Sequence, residues 1–355
     1  MKILHSADWH LCSPLHGRTP EQKELLQRHL RCLPGKISAL CQLHSCDLML
    51  LSGDLFDGPY DADTLQILQN ALREAAVPVM IAPGNHDFCT PSSPWLTEKW
   101  PENVHIFTRS AMECIELPAL SCRVYGGGFT SMDCPPLLED FRAEEDMVTI
   151  GILHGDTTQA SSPYNPITQM QVAQSGLSYL ALGHIHKAGS FRAGKTLCAW
   201  PGCPMGRGYD ETEEKGVLLV TVEETVQAQF LPLDTPRFYD EEIEAGDDPA
   251  VSLSDLLPTM DSSDFYRITL IGESDPLDLT ALQKRYCRFP NLLLRDETVP
   301  AVDLWQALGD DSFQGAYFEL LHQALENADP QSRQQILLAA KISRQILDGR
   351  EVVLP

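Results

Sequence analysis

Residues 2–10 read KILHSADWH, an apolar run that is followed at once by two polar side chains, Asp8 and His10. A short apolar run that ends in a polar loop predicts a buried β-strand. Because residues two apart in an extended segment point to the same side, Asp8 and His10 can bind one cation together. The first half of the chain repeats this arrangement, in which a strand ends in residues able to bind a metal.

Four later segments have the same form. They are Gly53–Asp57 (GDLFD), Gly84–Asp87 (GNHD), His154–Gly155 (HG) and Gly183–His186 (GHIH). Loops at the carboxyl ends of strands are where α/β proteins collect their chemistry. Five such strand ends in one chain, each with a metal-binding residue at its tip, predict a single shared site.

The spacing of these segments predicts an α/β fold. The predicted strands are Lys2–Ala7, Asp47–Ser52, Val77–Ala82, Met147–Leu153 and Tyr179–Leu182. Two helical patterns, Glu21–Leu43 and Ala62–Ala75, separate the first three strands, which is typical of stacked βα units. From Val104 onward the pattern changes to short strands and turns, including a hairpin whose predicted turn is Ala193–Lys195. We therefore expect two sheets packed face to face, with helices on the outside.

An acidic, proline-bearing stretch from Pro232 to Pro249 predicts a boundary after the first domain. It suits a linker or exposed edge, and a solvated strand at Phe238–Ile243 is the alternative. A small α/β capping domain is expected next. Two amphipathic C-terminal helices, about Gln314–Asn327 and Gln331–Leu347, either close a core or dock a partner. The predicted domains are 1–235, 236–305 and 306–355.

The composition is that of a globular protein. Of the 355 residues, 43% are hydrophobic and 21% are charged. No apolar stretch approaches the roughly 18 residues that a membrane helix needs. The first predicted strand begins at Lys2, which leaves no room for a removable signal, and the eleven cysteines are scattered. We therefore expect a cytoplasmic protein with reduced thiols and no membrane contact.

The net charge of −24 weighs against a nucleic-acid enzyme that acts alone. Affinity for DNA comes mostly from Lys and Arg side chains, and the chain has 26 of these against 50 Asp and Glu. Bound divalent cations would reverse the field locally, and a basic partner would carry most of the DNA contact. The acidity therefore lowers the case for an independent nuclease without excluding it.

The polar residues at the strand ends predict two metal ions. Asp54 ends a strand that should neighbour the first, and its two oxygens can bridge cations held about 4 Å apart. Asn85 offers an amide oxygen, and the alternation of His184 and His186 can direct one imidazole to each metal. His154 supplies a further nitrogen. Mixed nitrogen and oxygen ligands suit Mn²⁺, Fe²⁺ or Zn²⁺ better than Mg²⁺.

The same segments predict the other parts of a hydrolytic site. A water between two divalent cations loses a proton near neutral pH and becomes a nucleophile. His86, next to Asn85, is placed to act as a general acid or to stabilise the leaving oxygen. Asp87 and Asp57 could orient a neighbouring imidazole, and Asp57 could equally cap its own loop. The remaining histidines are interpreted as structural, namely His5, His16, His29, His44, His105 and His322.

The five segments resemble the pattern DxH…GDxxD…GNHD…H…GHxH of the calcineurin-like metallophosphoesterase superfamily. Within that superfamily the chain resembles the SbcD-like DNA repair exonucleases, in their YhaO-like branch. The stretches that carry this resemblance are His5–Leu11, Gly53–Asp57, Leu182–His186 and a fourth made of Trp200–Gly202, Gly206-Arg207 and Glu214–Val217. The last of these holds no predicted metal ligand, so general metallophosphoesterase chemistry does not demand it. Cys12 is a departure, because relatives usually have Gly or Asp there.

The resemblance implies an αββα metallophosphoesterase sandwich, then a small capping domain, and Mn²⁺-dependent cleavage of DNA phosphodiesters. It implies that His86 is the catalytic histidine. The metal ligands carried over are Asp8, His10, Asp54 and His186 for one ion, and Asp54, Asn85, His154 and His184 for the other. The implied partners are DNA, an SbcC-like coiled-coil ABC ATPase and a second copy of the chain bound through its early helices.

Three functions are weighed. The first is a Mn²⁺-dependent DNA exonuclease or endonuclease subunit that acts in DNA repair with an ATPase. The second is a phosphodiesterase or phosphatase for cyclic nucleotides, small diesters or phosphoproteins, which the acidity favours and the Trp200–Val217 stretch disfavours. The third is a non-enzymatic adaptor, whose mark would be the loss of a ligand, and none of the motif residues is missing.

Overall fold

The computed structural model describes residues 1–144, 146–246, 248–257, 263–300 and 303–349. Contacts between Cα atoms divide the chain into two compact units, Met1–Asp240 with Ser263–Tyr266, and Glu241–Ser262 with Arg267–Pro355. The boundaries expected at 235/236 and 305/306 stay predictions. Residues 350–355 of the predicted helical segment lie outside the described residues.

The first unit contains two six-stranded sheets and the helices that flank them. Its strands are β1 Lys2–Ser6, β2 Leu48–Leu51, β3 Val79–Ile81, β4 Val104–Ile106, β5 Glu113–Leu117, β6 Cys122–Gly126, β7 Val148–His154, β8 Tyr179–Gly183, β9 Gly189–Ala193, β10 Thr196–Trp200, β11 Gly216–Val222 and β12 Val226–Pro232. Its helices are α1 Pro20–Leu43, α2 Ala62–Glu74, α3 Pro94–Thr97 and α4 Gln169–Gln174, with a 3-10 turn at Pro118–Leu120.

The strand order brings the predicted ligand loops to one edge of each sheet. The first sheet has the order β12-β11-β1-β2-β3-β4, and the second has the order β5-β6-β7-β8-β10-β9. Strands β1 to β4 are parallel, with Ser6 opposite Leu51, and β7 and β8 are parallel, with His154 opposite Gly183. The carboxyl ends of parallel strands lie at the same edge, so the loops that follow them are neighbours.

Alternating side chains build the layers of the first unit. Ile3 and Leu50 pack with Ile152 of the second sheet in a core between the sheets. Leu4, one residue after Ile3, faces the other way and packs with Leu26 of α1. This alternation is what a strand with both faces buried requires. The predicted sandwich of two sheets with helices outside is confirmed.

Elements that lie in a long apolar run or a clear helical pattern were predicted from the sequence, whereas β4 and α4 were not. The helix pattern Glu21–Leu43 corresponds to α1, which begins with a capping box in which Thr19 accepts from Gln22 N. The hairpin between β9 and β10 is confirmed, and Gly194 in its turn has a φ of +59°. Strand β4 has three residues and helix α4 has six, too few for a periodic pattern to stand out.

The second unit is a smaller α/β arrangement. Its strands are β13 Phe238–Glu244, β14 Phe265–Ile271, β15 Glu273–Ser274, β16 Leu292–Asp296 and β17 Val299–Pro300, and the first two begin in residues of the first unit. Its helices are α5 Pro249–Leu256, α6 Leu279–Arg285, α7 Phe313–Glu326 and α8 Pro330–Leu347. Strands β13, β14 and β16 form one sheet, and β15 pairs with β17.

The two C-terminal helices pack on each other, with part of the apolar surface of α8 left open. Phe318 of α7 and Ala340 of α8 are fully buried in one cluster. The guanidinium of Arg344 lies 5.9 Å from the centre of the Phe318 ring. Ile346 and Leu347, at the end of α8, are 60% and 40% exposed. The core-closing interpretation therefore applies to the middle of α8, whereas its end is exposed. Over the described residues, none of the helices has the length and apolar character needed to cross a membrane.

Candidate metal centre

All seven predicted ligands lie together at the edge where the strands end. The shortest distances join Asn85 Oδ1 to His154 Nε2 at 3.0 Å and to His184 Nδ1 at 3.2 Å. On the other side, His10 Nε2 lies 3.2 Å from His186 Nε2. The backbone N–H of His184 donates to the carboxylate of Asp8 at 3.0 Å. That these residues bind metal ions is a proposal, which the arrangement of their atoms supports.

Asp54 lies between two groups of these ligands. Its Oδ2 is 3.4 Å from His154 Nε2 and 4.0 Å from His10 Nε2. Ligand atoms of Asp8, His10 and His186 lie within 4.8 Å of one another, and so do those of Asp8, Asp54 and His154. A carboxylate in this position has one neighbour set on each side, as a bridging ligand requires.

The imidazole tautomers fit a cation. His154 Nδ1 lies 2.9 Å from the carbonyl of Ser52 and donates there, so its Nε2 is the atom left to face Asn85, Asp54 or a cation. His186 Nδ1 lies 2.7 Å from Glu211 Oε1, which frees its Nε2 in the same way. The Nε2 atom of His186 then faces the Nε2 atom of His10 at 3.2 Å. His186 Nε2 is therefore an acceptor that needs either a proton from His10 or a cation, and a hydrogen-bonded Nδ1 is the usual feature of a metal-binding histidine.

The burial and the charge of the Asp8 and Asp54 carboxylates also favour a metal site. Asp8 and Asp54 are each 1% exposed, and buried carboxylates are stable only when paired or bound to a metal. Burial by itself raises the pKa of Asp54, but the imidazoles of His154 and His10 outweigh it, so the pKa lies below its ordinary value. Asp54 is therefore ionised and available as a ligand. Within the described part of the chain, His10 Nδ1 has no hydrogen-bond partner.

Four of the seven predicted ligands have a strained backbone. The φ angles of Asp8, His10, Asp54 and His184 are 54°, 48°, 51° and 99°. Such a conformation is rare for residues other than glycine and costs on the order of 1–3 kcal/mol at each position. It persists only where the surrounding structure imposes it, and such strain concentrates at functional sites.

Two glycines allow the ligand loops to approach one another. A Cβ atom on Gly84 would lie 2.2 Å from Asp54 Oδ1, and one on Gly183 would lie 2.1 Å from the carbonyl oxygen of Ser52. Both distances are well inside van der Waals contact. These positions therefore require glycine because of close approach, and neither has a positive φ.

His86 lies at the open side of the site. Its Nδ1 is 2.9 Å from Asp57 Oδ1, and its side chain is 44% exposed. Its backbone N–H donates to Asp54 Oδ1 at 2.9 Å, and this hydrogen bond fixes the position of His86 relative to the proposed ligands. The hydrogen bond with Asp57 raises the pKa of His86 above its ordinary value. The Nε2 atom remains to face a substrate.

The structure corrects the role expected of Asp87. Instead of orienting an imidazole, its buried carboxylate accepts from the backbone N–H groups of Leu55 at 2.7 Å, Phe56 at 3.3 Å and Gly84 at 2.7 Å. Burial and the nearby Asp54 carboxylate raise the pKa of Asp87 to about 7, and the N–H donors only partly offset this shift. Asp87 therefore fastens two ligand loops together and does not touch a catalytic ring.

Arg207 and Glu211 belong to the site but were not predicted as functional residues. Glu211 Oε1 lies 2.7 Å from His186 Nδ1 and accepts from Arg207 Nη2 at 2.9 Å. Arg207 Nη1 is in turn 3.6 Å from Asp57 Oδ2. A chain of contacts thus runs from the proposed ligand His186 to Asp57, which pairs with His86. Gly206-Arg207 lay in a stretch that carried the family resemblance, whereas no pattern marked Glu211.

Two residues singled out in the sequence lie outside this arrangement. Cys12 has a φ of 65°, a conformation that glycine adopts more readily than cysteine, and its thiol lies 3.5 Å from Asp61 Oδ2 rather than among the predicted ligands. His5 is buried, with Nδ1 2.7 Å from the Tyr179 hydroxyl and Nε2 2.9 Å from Ser52 Oγ. All eleven cysteines lie in the described ranges and are free thiols.

Comparison with known proteins finds similarity to phosphoesterases. A family model described as "Calcineurin-like phosphoesterase" matches residues 1–188. The chain is 32% identical over 237 residues to "Uncharacterized metallophosphoesterase YhaO" of Bacillus subtilis, covering 62% of this chain and 57% of that protein. It is 26% identical over 255 residues to the D subunit of the nuclease SbcCD of Bacillus subtilis, covering 59% of this chain and 63% of that protein. It thus spans less than two thirds of either relative. A solved dimetal phosphatase from Danio rerio has a TM-score of 0.46 at 12% identity, over 65% of this chain and 96% of that one.

Proposed function

This chain belongs to the calcineurin-like phosphoesterase family, and we propose that it is a metal-dependent phosphoester hydrolase, namely an SbcD-like nuclease subunit that cleaves DNA phosphodiesters. The observation that carries the proposal is the position of the Asp54 carboxylate between two groups of imidazole, amide and carboxylate ligands. The similarity to a nuclease subunit over 255 residues supports the choice of DNA as substrate.

The proposed ligands divide into two sets that share Asp54. Asp8, His10 and His186 complete one set, and Asn85, His154 and His184 complete the other. When bound, divalent cations supply Lewis-acid activation of water and neutralise the charge of the phosphate. The mixed nitrogen and oxygen donors favour Mn²⁺, with Fe²⁺ and Zn²⁺ as the other metals that suit them.

His86 is proposed to protonate the leaving oxygen. Asp57 accepts the Nδ1 proton at 2.9 Å and raises the pKa of His86. The imidazole can therefore carry a second proton on Nε2. Transfer of that proton to the departing alkoxide is general acid catalysis. Arg207 Nη1 lies 3.6 Å from Oδ2, the other carboxylate oxygen of Asp57, and so helps to fix the orientation of the Asp57–His86 pair.

A partner is proposed to supply most of the DNA affinity, because the chain has a net charge of −24. An SbcC-like coiled-coil ABC ATPase in the cytoplasm fits this role, and a homodimer formed through α1 and α2 would present two sites to one DNA molecule. The same acidity favours a second candidate function, the hydrolysis of cyclic nucleotides, small diesters or phosphoproteins.

The test is cleavage of end-labelled duplex and single-stranded DNA by metal-stripped protein, with and without Mn²⁺, beside a chromogenic phosphodiester. His86→Ala should retain its metals and lose turnover by about 10²- to 10⁴-fold. DNA cleavage that needs Mn²⁺ and falls in this variant is the expected result. Hydrolysis of the small diester but not of DNA, even with a coiled-coil ATPase of the SbcC kind added, would favour the second function. Full turnover by His86→Ala would contradict the acid role.

A further inference from the structure

A groove lined by aromatic side chains opens beside His86, and Arg207 is not among its lining residues. We call it the aromatic groove, and define it by Phe56, Tyr60, Phe88, Ser93 and Pro94, with His86 at its rim. Its volume is about 300 Å³, which is at the lower end of the range for pockets that bind small molecules. None of these residues is among the proposed metal ligands. The groove therefore has to be explained separately from the metal centre.

The aromatic groove has a rigid floor. Phe56 is 1% exposed, and its ring centre lies 5.5 Å from that of Tyr60 and 5.6 Å from that of Trp95. Trp95 stacks on Trp100 at 5.2 Å behind it. Tyr60 is only partly buried and lies at the surface of this aromatic stack. A planar ligand could therefore stack on a ring whose orientation is already fixed, so little conformational entropy is lost on binding.

The aromatic groove is also free of exposed negative charge, although the chain is strongly acidic. Of the described residues that line it, Asp87 alone is acidic, and its carboxylate is buried and accepts three backbone hydrogen bonds. The neighbouring groove is lined by three carboxylates, Asp57, Asp210 and Glu211, against one arginine, Arg207. A nucleotide, whose phosphate is anionic, is thus repelled less on the aromatic side of His86.

Ser93 adds an available polar group. It precedes α3, where a serine hydroxyl ordinarily accepts a hydrogen bond from the first turn, but its side chain makes no such bond. Its Oγ atom is buried and has no partner within the described ranges. Because Ser93 lines the groove, this hydroxyl is available to a ligand that reaches it. An aromatic face together with one unused hydroxyl is the combination that binds a nucleobase by stacking and an edge hydrogen bond.

We propose that the aromatic groove binds the nucleobase on the leaving-group side of the scissile phosphodiester, stacked on Tyr60. The inference rests on the proposed nuclease function, in which His86 faces the leaving oxygen. The groove begins at His86, so the nucleoside attached to that oxygen is the one whose base reaches it. Stacking on one aromatic side chain changes the affinity for a base by about 5- to 150-fold.

The experiment compares three dinucleoside monophosphates in Mn²⁺: one with both bases, one abasic at the 5′ nucleoside and one abasic at the 3′ nucleoside. Wild-type protein, Tyr60→Ala, Phe88→Ala and Tyr60→Phe are measured on each by kcat/KM. We expect Tyr60→Ala to lose about tenfold or more on the two-base substrate and to equal wild type on one of the two abasic substrates. Tyr60→Phe, which keeps the ring, should behave like wild type. Phe88→Ala should repeat the pattern of Tyr60→Ala more weakly.

The outcomes separate this inference from the proposed function. If wild-type protein cleaves all three substrates equally well, the nuclease function stands and the base-binding role is overturned. A loss in Tyr60→Ala that is the same on every substrate would also overturn it, since damage to the fold does not depend on a base. If no dinucleotide is cleaved while a phosphomonoester is, the proposed function fails, and the inference fails with it.

Discussion

Asp54 is constrained through its backbone and through both of its carboxylate oxygens. Its Oδ1 accepts from His86 N at 2.9 Å, while its Oδ2 lies between His154 and His10 at 3.4 and 4.0 Å. Its backbone is held at a φ of 51°, which few residues other than glycine adopt. A carboxylate oxygen at this point serves both proposed ion positions, so the two ions depend on one side chain.

We predict that Asp54→Asn loses both metals and all hydrolytic activity. The amide has one acceptor oxygen and no charge, so it cannot stabilise two cations in a buried site. Metal content after gel filtration is the measurement, with the exposed Asp63→Asn as control. Retention of one equivalent of Mn²⁺ by Asp54→Asn would show that the ligand sets are independent, contrary to the bridging position proposed for this residue.

We also predict that Glu211→Gln weakens metal binding by about 10- to 100-fold, the usual effect of changing a carboxylate behind a metal-binding histidine. The carboxylate fixes His186 through Nδ1 at 2.7 Å and orders Arg207 at the same time. Excess Mn²⁺ should restore most of the activity, because the direct ligands are intact. The control is Glu213→Gln, since Glu213 pairs with Lys187 at 3.3 Å and not with a histidine. Equal Mn²⁺ titrations for the two variants would count against a supporting role for Glu211.

At the scale of elements, the ends of β2 and β8 set how close the two sheets come at the site. Gly183 lies at the end of β8, where a methyl group would be 2.1 Å from the carbonyl oxygen of Ser52, directly after β2. Gly35 contrasts with it, because it lies inside α1, and a methyl group there would meet no described atom within 4 Å beyond the backbone of its own helix. The same substitution should therefore have opposite effects at these two glycines.

We predict that Gly183→Ala destabilises the protein by about 1–3 kcal/mol through overpacking and reduces metal content, because the ends of β2 and β8 must separate. Gly35→Ala should stabilise it by about 0.5–1 kcal/mol, the usual difference between alanine and glycine in a helix. Urea unfolding midpoints measure both. A neutral Gly183→Ala would mean that the sheet edges can move apart without loss.

The elements that could be predicted from the sequence are those whose pattern is contiguous. An apolar run that ends in DWH, GD or GHIH contains both the strand and its polar tip, so sheets and candidate ligands followed from local residues. Contacts between distant loops have no such pattern. Glu211 meets His186 across 25 residues, and Asp87 meets Leu55 across 32. Such pairs depend on how the loops fold back. For this reason the sequence predicted a different role for Asp87 and did not indicate a role for Glu211.

At the scale of the whole molecule, the net charge of −24 opposes the approach of DNA. Long-range repulsion acts over the Debye length, which falls from about 30 Å at 0.01 M salt to about 8 Å at 0.15 M. A dinucleotide carries one phosphate charge and feels this field far less than a long duplex. Screening should therefore affect the two substrates differently when the chain acts without a partner.

We predict that kcat/KM for long DNA rises as ionic strength increases from about 0.01 M to about 0.15 M, while kcat/KM for a dinucleotide changes little. Proteins that bind DNA through basic surfaces show the opposite trend, because salt competes with their phosphate contacts. The measurement uses the isolated chain at constant free Mn²⁺, so that occupancy of the centre does not vary. A steep fall in DNA cleavage with salt would reveal a basic surface on this chain strong enough to bind DNA, and the argument for a basic partner would then lose its main support.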